Sequence, residues 1–422
     1  MKNWCCLLLL SFLSLSFTAM AQSVGVGIAT PAASAALDVT STTQGVLLPR
    51  MTAAQRDAIA SPAQNLLVFQ TDGTPGLYYY TNMAWVNLGT GLTPDASGNT
   101  ARVRVGTLSG NGNANIAASV DGTGTAAQFF SPAGMALDGS SNYLYVADTR
   151  LHCIRQIVVA TGVVTILAGS SGSGTSGNTN GTGTAARFNF PTSVTADGSG
   201  NVYVADTGNN SIRKIVAATG VVSTFVSGLT SPCDLAIDGS GNLYVAETSS
   251  NRIRKIVMAT ATVSILAGNG TAGYADGAGT AALFNSPTGV TVDYSGNVYV
   301  SDQNNNRIRK IVAATGVVST LAGSGTTGYV NGAGTAAQFN RPYGVSSDGF
   351  GTVYVSDTNN NRIRMIVVAT GAVSTLAGNG TSGYADGVGT AAQFNYMRGV
   401  VVGSNGAVYT ADYNSARIRV TK

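Results

Sequence analysis

Six acidic side chains close a repeated Tyr-Val-x-Asp pattern or a near variant of it: Asp148, Asp206, Glu247, Asp302, Asp357 and Asp412. Carboxylates spaced so regularly could gather a divalent cation, calcium above all, or work as acid and base. Each is followed seven residues later by an arginine, giving Asp148 with Arg155, Asp206 with Arg213, Glu247 with Arg254, Asp302 with Arg309, Asp357 with Arg364 and Asp412 with Arg419. A repeated acid with a repeated guanidinium partner predicts structural ion pairs rather than a reaction centre.

Histidine chemistry is nearly closed to this chain, which has one His, His152. A zinc cluster of imidazoles or a Ser-His-Asp triad chosen from several histidines cannot be assembled from it. Calcium held by carboxylates and carbonyls stays open, and no resident metal or cofactor is predicted. Cys153 and Cys233 are expected to be lone thiols, since they fall at non-equivalent places in different repeats.

The net charge is +4, or +3 once Lys2 is removed with the leader. Thirteen of the remaining 22 basic residues lie in one recurring element, from Arg155 to Arg419, and are dealt out evenly along the repeats. Even dealing argues against one basic face, so no nucleic-acid partner is predicted.

The elements that position these residues follow from self-similarity. The acids are spaced 58, 41, 55, 55 and 55 residues apart, which gives six copies of one unit. The short interval is a deleted loop: the third copy is entered directly through Gly228-Leu229-Thr230-Ser231-Pro232, where others carry a segment such as Gly268–Asn285. Within a copy, alternation and turn chemistry predict four strands: Gly289–Asp293, Asn297–Asp302, Arg307–Val312 and Val317–Ala322. Four antiparallel strands per copy make a propeller blade. The last copy ends at Lys422 after its third strand (Ala416–Val420), and Val105–Gly112 matches the fourth strand of other copies. The fold predicted is all-β: a six-bladed β-propeller over residues 96–422, closed by an N-terminal strand that completes the last blade.

Upstream, Met1–Ala21 has a basic start, an apolar run and a small-residue end, and reads as a cleaved secretory signal. No later stretch reaches the roughly 20 apolar residues of a membrane span, so an exported protein without a transmembrane segment is expected, secreted, periplasmic or on a bacterial surface. Residues 22–95 form a small α+β module, with a short helix at Met51–Ile59 capped by Thr52, strands at Leu66–Phe69 and Leu77–Tyr80, and Trp85 packed on them.

Tyr299-Val300-Ser301-Asp302 followed by Asn306-Arg307-Ile308-Arg309-Lys310, with Pro287-x-Gly289-Val290 upstream, resembles the NHL repeat. The resemblance runs from about residue 101 to the C-terminus and implies a propeller used as a scaffold or a binding surface for proteins, sugars or RNA, with a few metal-dependent lyases among architectural relatives. Gly27–Gly89 resembles leader modules of bacterial surface and phage tail-fibre-like proteins, which implies a homo-oligomer formed through the N-terminal module.

The loops are where the copies differ. Phe188, Phe284, Phe339 and Phe394 recur in Ala-x-Phe-Asn and are read as core anchors. Tyr274, Tyr329 and Tyr384 recur in Gly-Tyr-x-Asp/Asn-Gly and suit a recognition surface. With Asn305 and Asn360 of the Asn-rich loops, they are predicted to share one ligand-binding face. Cys233-Asp234 breaks the pattern of the third copy, where Asp234 is expected at a notch in the rim, and Met397-Arg398 breaks that of the sixth. The function expected is a non-enzymatic binding or scaffold protein for a protein or glycan ligand. The alternatives are an extracellular propeller lyase or hydrolase, calcium-assisted, and a structural surface spacer.

Overall fold

The computed structural model describes residues 24–26, 37–39, 48–60, 62, 66–72, 76–80, 85–87, 103–113, 118–170 and 175–422. The secretory signal and most of the turn at 72–76 lie outside the described residues. The chain divides into two units, Met1–Ala101 and Arg102–Lys422. Among the described residues, no helix is long and apolar enough to cross a membrane.

In the first unit Arg50–Met51, Leu67–Gln70, Gly76–Tyr80 and Trp85–Asn87 form a four-stranded sheet, and Val24–Val26 pairs in parallel with Leu37–Val39. The helix covers Ala53–Asp57, shorter than the expected segment. Thr52 caps it: its Oγ1 accepts from Gln55 N, while Gln55 Oε1 accepts from Thr52 N, so two otherwise orphaned donors are satisfied reciprocally. Val68 and Tyr78 are buried against Met51, Ile59, Leu66 and Tyr80, and the Arg56 guanidinium lies 4.7 Å from the Tyr78 ring.

Among its described residues the second unit is all-β, with six antiparallel sheets in chain order, consistent with a β-propeller. The fourth repeat shows the plan. Pro287–Val292, Asn297–Asp302, Arg307–Val312 and Val317–Ala322 pair in sequence order. The turn after the first strand forms because Asp293 accepts from Ser295 N, Asn297 N and the Tyr299 hydroxyl, the last at 2.8 Å. The first strand begins two residues earlier than alternation predicts. Pro287 has no N–H to give to a ladder, which suits a strand start.

Five sheets carry a fifth, two-residue strand that the sequence reading did not include; in the fourth repeat it is Gly277–Ala278, beside Val317–Ala322. The third sheet has four strands, because its loop deletion removes that segment. After each short strand comes a single 3-10 turn such as Gly279–Ala281, which leads to a fully buried Phe284.

In the sixth sheet Arg104–Ser109 lies beside Arg417–Thr421, with Ile418 opposite Ser109 and Thr421 opposite Val105. The first strands of successive sheets touch in chain order, and the sixth touches the first. Their approach is close enough to demand glycine: a Cβ on Gly289 would meet the Tyr343 carbonyl oxygen at 2.3 Å, and one on Gly399 the Ala133 carbonyl at 2.2 Å.

Candidate functional site

The repeated acids and arginines meet inside each sheet. Arg309 Nη1 lies 2.7 Å from Asp302 Oδ2, and the corresponding pairs are Arg364 with Asp357 at 2.8 Å, Arg213 with Asp206 at 3.0 Å, and Arg155 with Asp148 and Arg419 with Asp412 at 3.3 Å. All ten side chains are fully buried. The acids' remaining oxygens accept a backbone N–H from the loop, as Asp302 Oδ1 does from Asn285 at 2.8 Å. The second arm of each arginine reaches a loop carbonyl and a loop Asp or Asn: Arg309 Nη2 bonds Ala275 O and Asp276 Oδ1. Below the guanidinium lies a phenylalanine ring, Phe284 at 5.2 Å in this case. Burial pushes Asp148 and Asp412 up to about 6, and raises Asp206, Asp302 and Asp357, against the lowering effect of their arginines and loop N–H donors.

The third sheet solves the same problem without its loop. Glu247 accepts from Arg254 Nε at 2.9 Å and from Arg252 Nε at 2.6 Å. The extra methylene lets one carboxylate serve two arginines where the loop's Asp or Asn is gone.

Tyr274, Tyr329 and Tyr384 are exposed, at 44%, 58% and 60%. Each stacks on the first arginine of its Arg-Ile-Arg element: Arg307 at 3.7 Å from the Tyr274 ring, Arg362 at 4.1 Å from Tyr329 and Arg417 at 4.1 Å from Tyr384. The pairing is all-or-none among copies that keep the loop. Copies one and two have Cys153 and Ser211 in place of the arginine, and Asn178 stands where the second copy would have its tyrosine. Beside Tyr329 and Arg362 lies a surface hollow of about 510 Å³, also lined by Asn331, Thr375 and Asn379.

Asn305 and Asn360 require a correction. Asn305 Nδ2 donates to Gly273 O at 2.7 Å and to Asp302 Oδ2 at 2.9 Å, and Asn360, itself buried, repeats this with Gly328 O and Asp357. Their amide nitrogens tie the tyrosine loop to the buried acid, a positioning role, with Asn360 buried and Asn305 partly exposed. Asp234 is also displaced from its expected place. It lies in the first strand, whose free edge bounds a central cavity, while the deleted loop belonged to the opposite edge of the sheet.

That cavity, of about 290 Å³, is bounded by the first strands of all six sheets. Asp234 and Ser193 replace glycine there; Asp234 Oδ1 accepts from the Ser193 hydroxyl and Leu235 N, and Oδ2 accepts from Val290 N at 2.9 Å. One carboxylate thus joins the second, third and fourth sheets. Burial, outweighing those donors, pushes Asp234 up to about 6. A carboxyl raised above its ordinary value of about 3.9 takes up its proton earlier in the folded state, so its contribution favours folding below about pH 4 and is lost as pH rises through 6. Lowering pH from 7.5 to 5 should therefore gain the wild type about 1–2 kcal/mol from this group, and Asp234→Asn should lose that part of the slope. Urea unfolding at several pH values checks this; identical slopes would refute it.

Cys233 and Cys153 are free and buried, and burial pushes both thiols up. Across the cavity wall Cys233 Sγ lies 3.1 Å from the Tyr343 hydroxyl. No group of three or more metal-ligating side chains occurs among the described residues.

Comparison with known proteins adds the family. Residues 188–215 and 284–311 match the NHL repeat, and residues 25–102 match a phage tail like trimerisation region. The chain carries NHL repeats. Over 271 residues it is 30% identical to the protein SUPPRESSOR OF QUENCHING 1, chloroplastic, of Arabidopsis thaliana, covering 58% of this chain and 26% of that protein. Over 321 residues it is 29% identical to human NHL repeat-containing protein 2, covering 71% of this chain and 40% of the relative. The chain thus spans a quarter to two fifths of those curated relatives. A solved structure from Bacteroides thetaiotaomicron, described as an auxiliary nutrient binding protein, superimposes with a TM-score of 0.60 at 18% identity over 83% of each chain, which shows a shared fold.

Within the NHL repeats, sequence reasoning did not pick out the role of Arg307, Arg362 and Arg417 as tyrosine supports. Their signal was available, since tyrosine and arginine come and go together among the copies that keep the loop. The repeats' Asp121, Asp276 and Asp386, which clamp the second arm of the buried arginines, were likewise readable only once the loop was seen to fold back over its own sheet.

Proposed function

We propose that this NHL-repeat protein is an exported, non-enzymatic binding protein whose six sheets are the blades of a closed propeller, shut by Arg104–Ser109, and whose loop face binds a glycan. The observation that carries the reading is the run of exposed tyrosines, each braced by an arginine, in three consecutive repeats. A braced ring has little rotamer freedom left to lose on binding, and offers sugar C–H groups a flat apolar surface with a polar hydroxyl at its rim. The fold is shared with a protein described as nutrient binding, which is compatible with a binding role. The trimerisation-like N-terminal region would join three such faces, and linked weak sites gain avidity without new contacts.

A glycan array probed with the chain from Gln22, alongside a screen of surface proteins, tests this. Changing Tyr274, Tyr329 and Tyr384 together to Ala should cost at least tenfold in glycan affinity while leaving the melting temperature within a few degrees, because all three rings are exposed. Undiminished glycan binding by the triple variant, or binding confined to a protein partner, would overturn the assignment.

A further inference from the structure

The second face of interest lies inside the ring of sheets, away from the tyrosines. At the second position of the six first strands stand Ala133, Thr192, Cys233, Thr288, Tyr343 and Arg398. Only the last brings a charge to that layer. Arg398 forms part of the wall of the 290 Å³ cavity.

Its bonding differs from that of the other sheet arginines. Arg155, Arg213, Arg309, Arg364 and Arg419 each place both terminal nitrogens on carboxylates, amides or carbonyls, although their Nε atoms are also unbonded. Arg307, Arg362 and Arg417 donate to backbone carbonyls. Arg398 makes no ion pair and no hydrogen bond among the described residues, and its Nε is buried without an acceptor. What surrounds it is aromatic: the Tyr413 ring at 3.8 Å, Tyr343 at 5.0 Å and Tyr396 at 5.6 Å. Rings hold a guanidinium in place and offset part of its desolvation, but they leave its in-plane donors unused. A half-buried guanidinium whose terminal nitrogens make no bond to the protein, in a cavity wall, can turn its fork of donors to an acceptor from solution.

We propose that this cavity binds a small carboxylate, held by the Arg398 guanidinium. A planar fork matches a carboxylate with two parallel N–H···O bonds. The other charged group in the layer below, Asp234, has its oxygens occupied by Ser193, Leu235 and Val290, so it does not compete for Arg398. The lining also carries Asp138, whose oxygens accept from Ser140 and Tyr143, so with one cation and two carboxyl groups around the cavity each added negative charge on a ligand meets more repulsion, which favours a monoanion over a dianion such as phosphate. The cavity volume limits the ligand to a small organic acid. The site depends on neither the tyrosine face nor its ligand.

The test uses the whole chain with ¹⁵N-labelled arginine. Acetate, propionate and benzoate, titrated at pH 7, should saturably shift one arginine Nε–H resonance, the one absent from Arg398→Met. Calorimetry should show at least a tenfold loss of affinity for these acids in Arg398→Met and an intermediate loss in Arg398→Lys, which keeps the charge without the fork. The triple tyrosine variant should bind them as the wild type does. Should Arg398→Met fail to fold, the wild-type resonance and Arg398→Lys still decide. No saturable shift, equal affinity in the arginine variants, or tighter binding of inorganic phosphate would overturn the proposal.

Discussion

Arg309→Met should destabilise the protein by about 3–5 kcal/mol, the cost of leaving a buried charge without its partner. The methionine would fill much of the volume above Phe284, so the loss is electrostatic and not a cavity effect. Asp302 would retain only the Asn285 N–H and the Asn305 amide, and the carbonyls of Leu283 and Ala275 would each lose the guanidinium and keep only the backbone N–H that each residue gives the other. The deficit should shrink as pH falls. Burial already raises Asp302, and without the guanidinium the carboxyl is pushed further, so acid relieves the variant by protonating it. Arg254→Met provides an internal comparison. Arg254 is partly exposed, and Glu247 keeps Arg252 at 2.6 Å, so the same substitution should cost only about 1 kcal/mol there. Equilibrium urea unfolding of the two variants distinguishes them, and equal losses would mean that the buried pair is not the fastener described.

Much of this was legible in the residues because the copies average out local ambiguity. Strands two to four of the fourth repeat have the bounds that alternation and turn residues predict, since each is flanked by an Asx turn or a Gly at positive φ such as Gly316. The two-residue strand at Gly277–Ala278 was not legible: Gly-Ala before Gly-Thr-Ala carries no alternation, and only its partner strand defines it. Asn305 and Asn360 misled for a physical reason. An Asn-rich stretch reads as solvated loop, yet one Asn of each run folds back as a donor to the acid and the next, such as Asn306 at φ 50°, supplies the left-handed residue that ends the 3-10 turn. His152 holds that same left-handed place in the first repeat, with φ 53°, so the lone histidine is a turn residue whose Nδ1 accepts from Phe190 N. Asp234 and Arg398 were recognisable as departures from the repeat. Their meeting around one cavity was not, because sequence position along a first strand does not reveal that its free edge faces inward.

Removing the strand at Arg104–Ser109 should have an effect of similar size, by a different route. Three chains make the comparison: the full sequence, one starting at Arg102 and one starting at Gly110. The second keeps the strand, and should fold as a monomer if the trimerisation-like region is what assembles the full chain. The third exposes the edge of Arg417–Thr421, unburies the surroundings of Val105 beside Val400 and Val408, and strips Asp386 of the Thr107 donors that help it hold Arg419. Val105 alone is worth about 2 kcal/mol of apolar burial, and the lost backbone bonds to Arg417–Thr421 about 1 kcal/mol each, so a total near 5 kcal/mol and a melting temperature lower by about 10 °C are expected. The bare edge should also make the shortened chain self-associate, since unpaired strand edges template pairing with other copies. Thermal melts with light scattering read both effects. If the chain from Gly110 melted with that from Arg102 and stayed monomeric, the strand would be an ornament on the sixth sheet, and the ring would have to be held by the contacts between first strands alone.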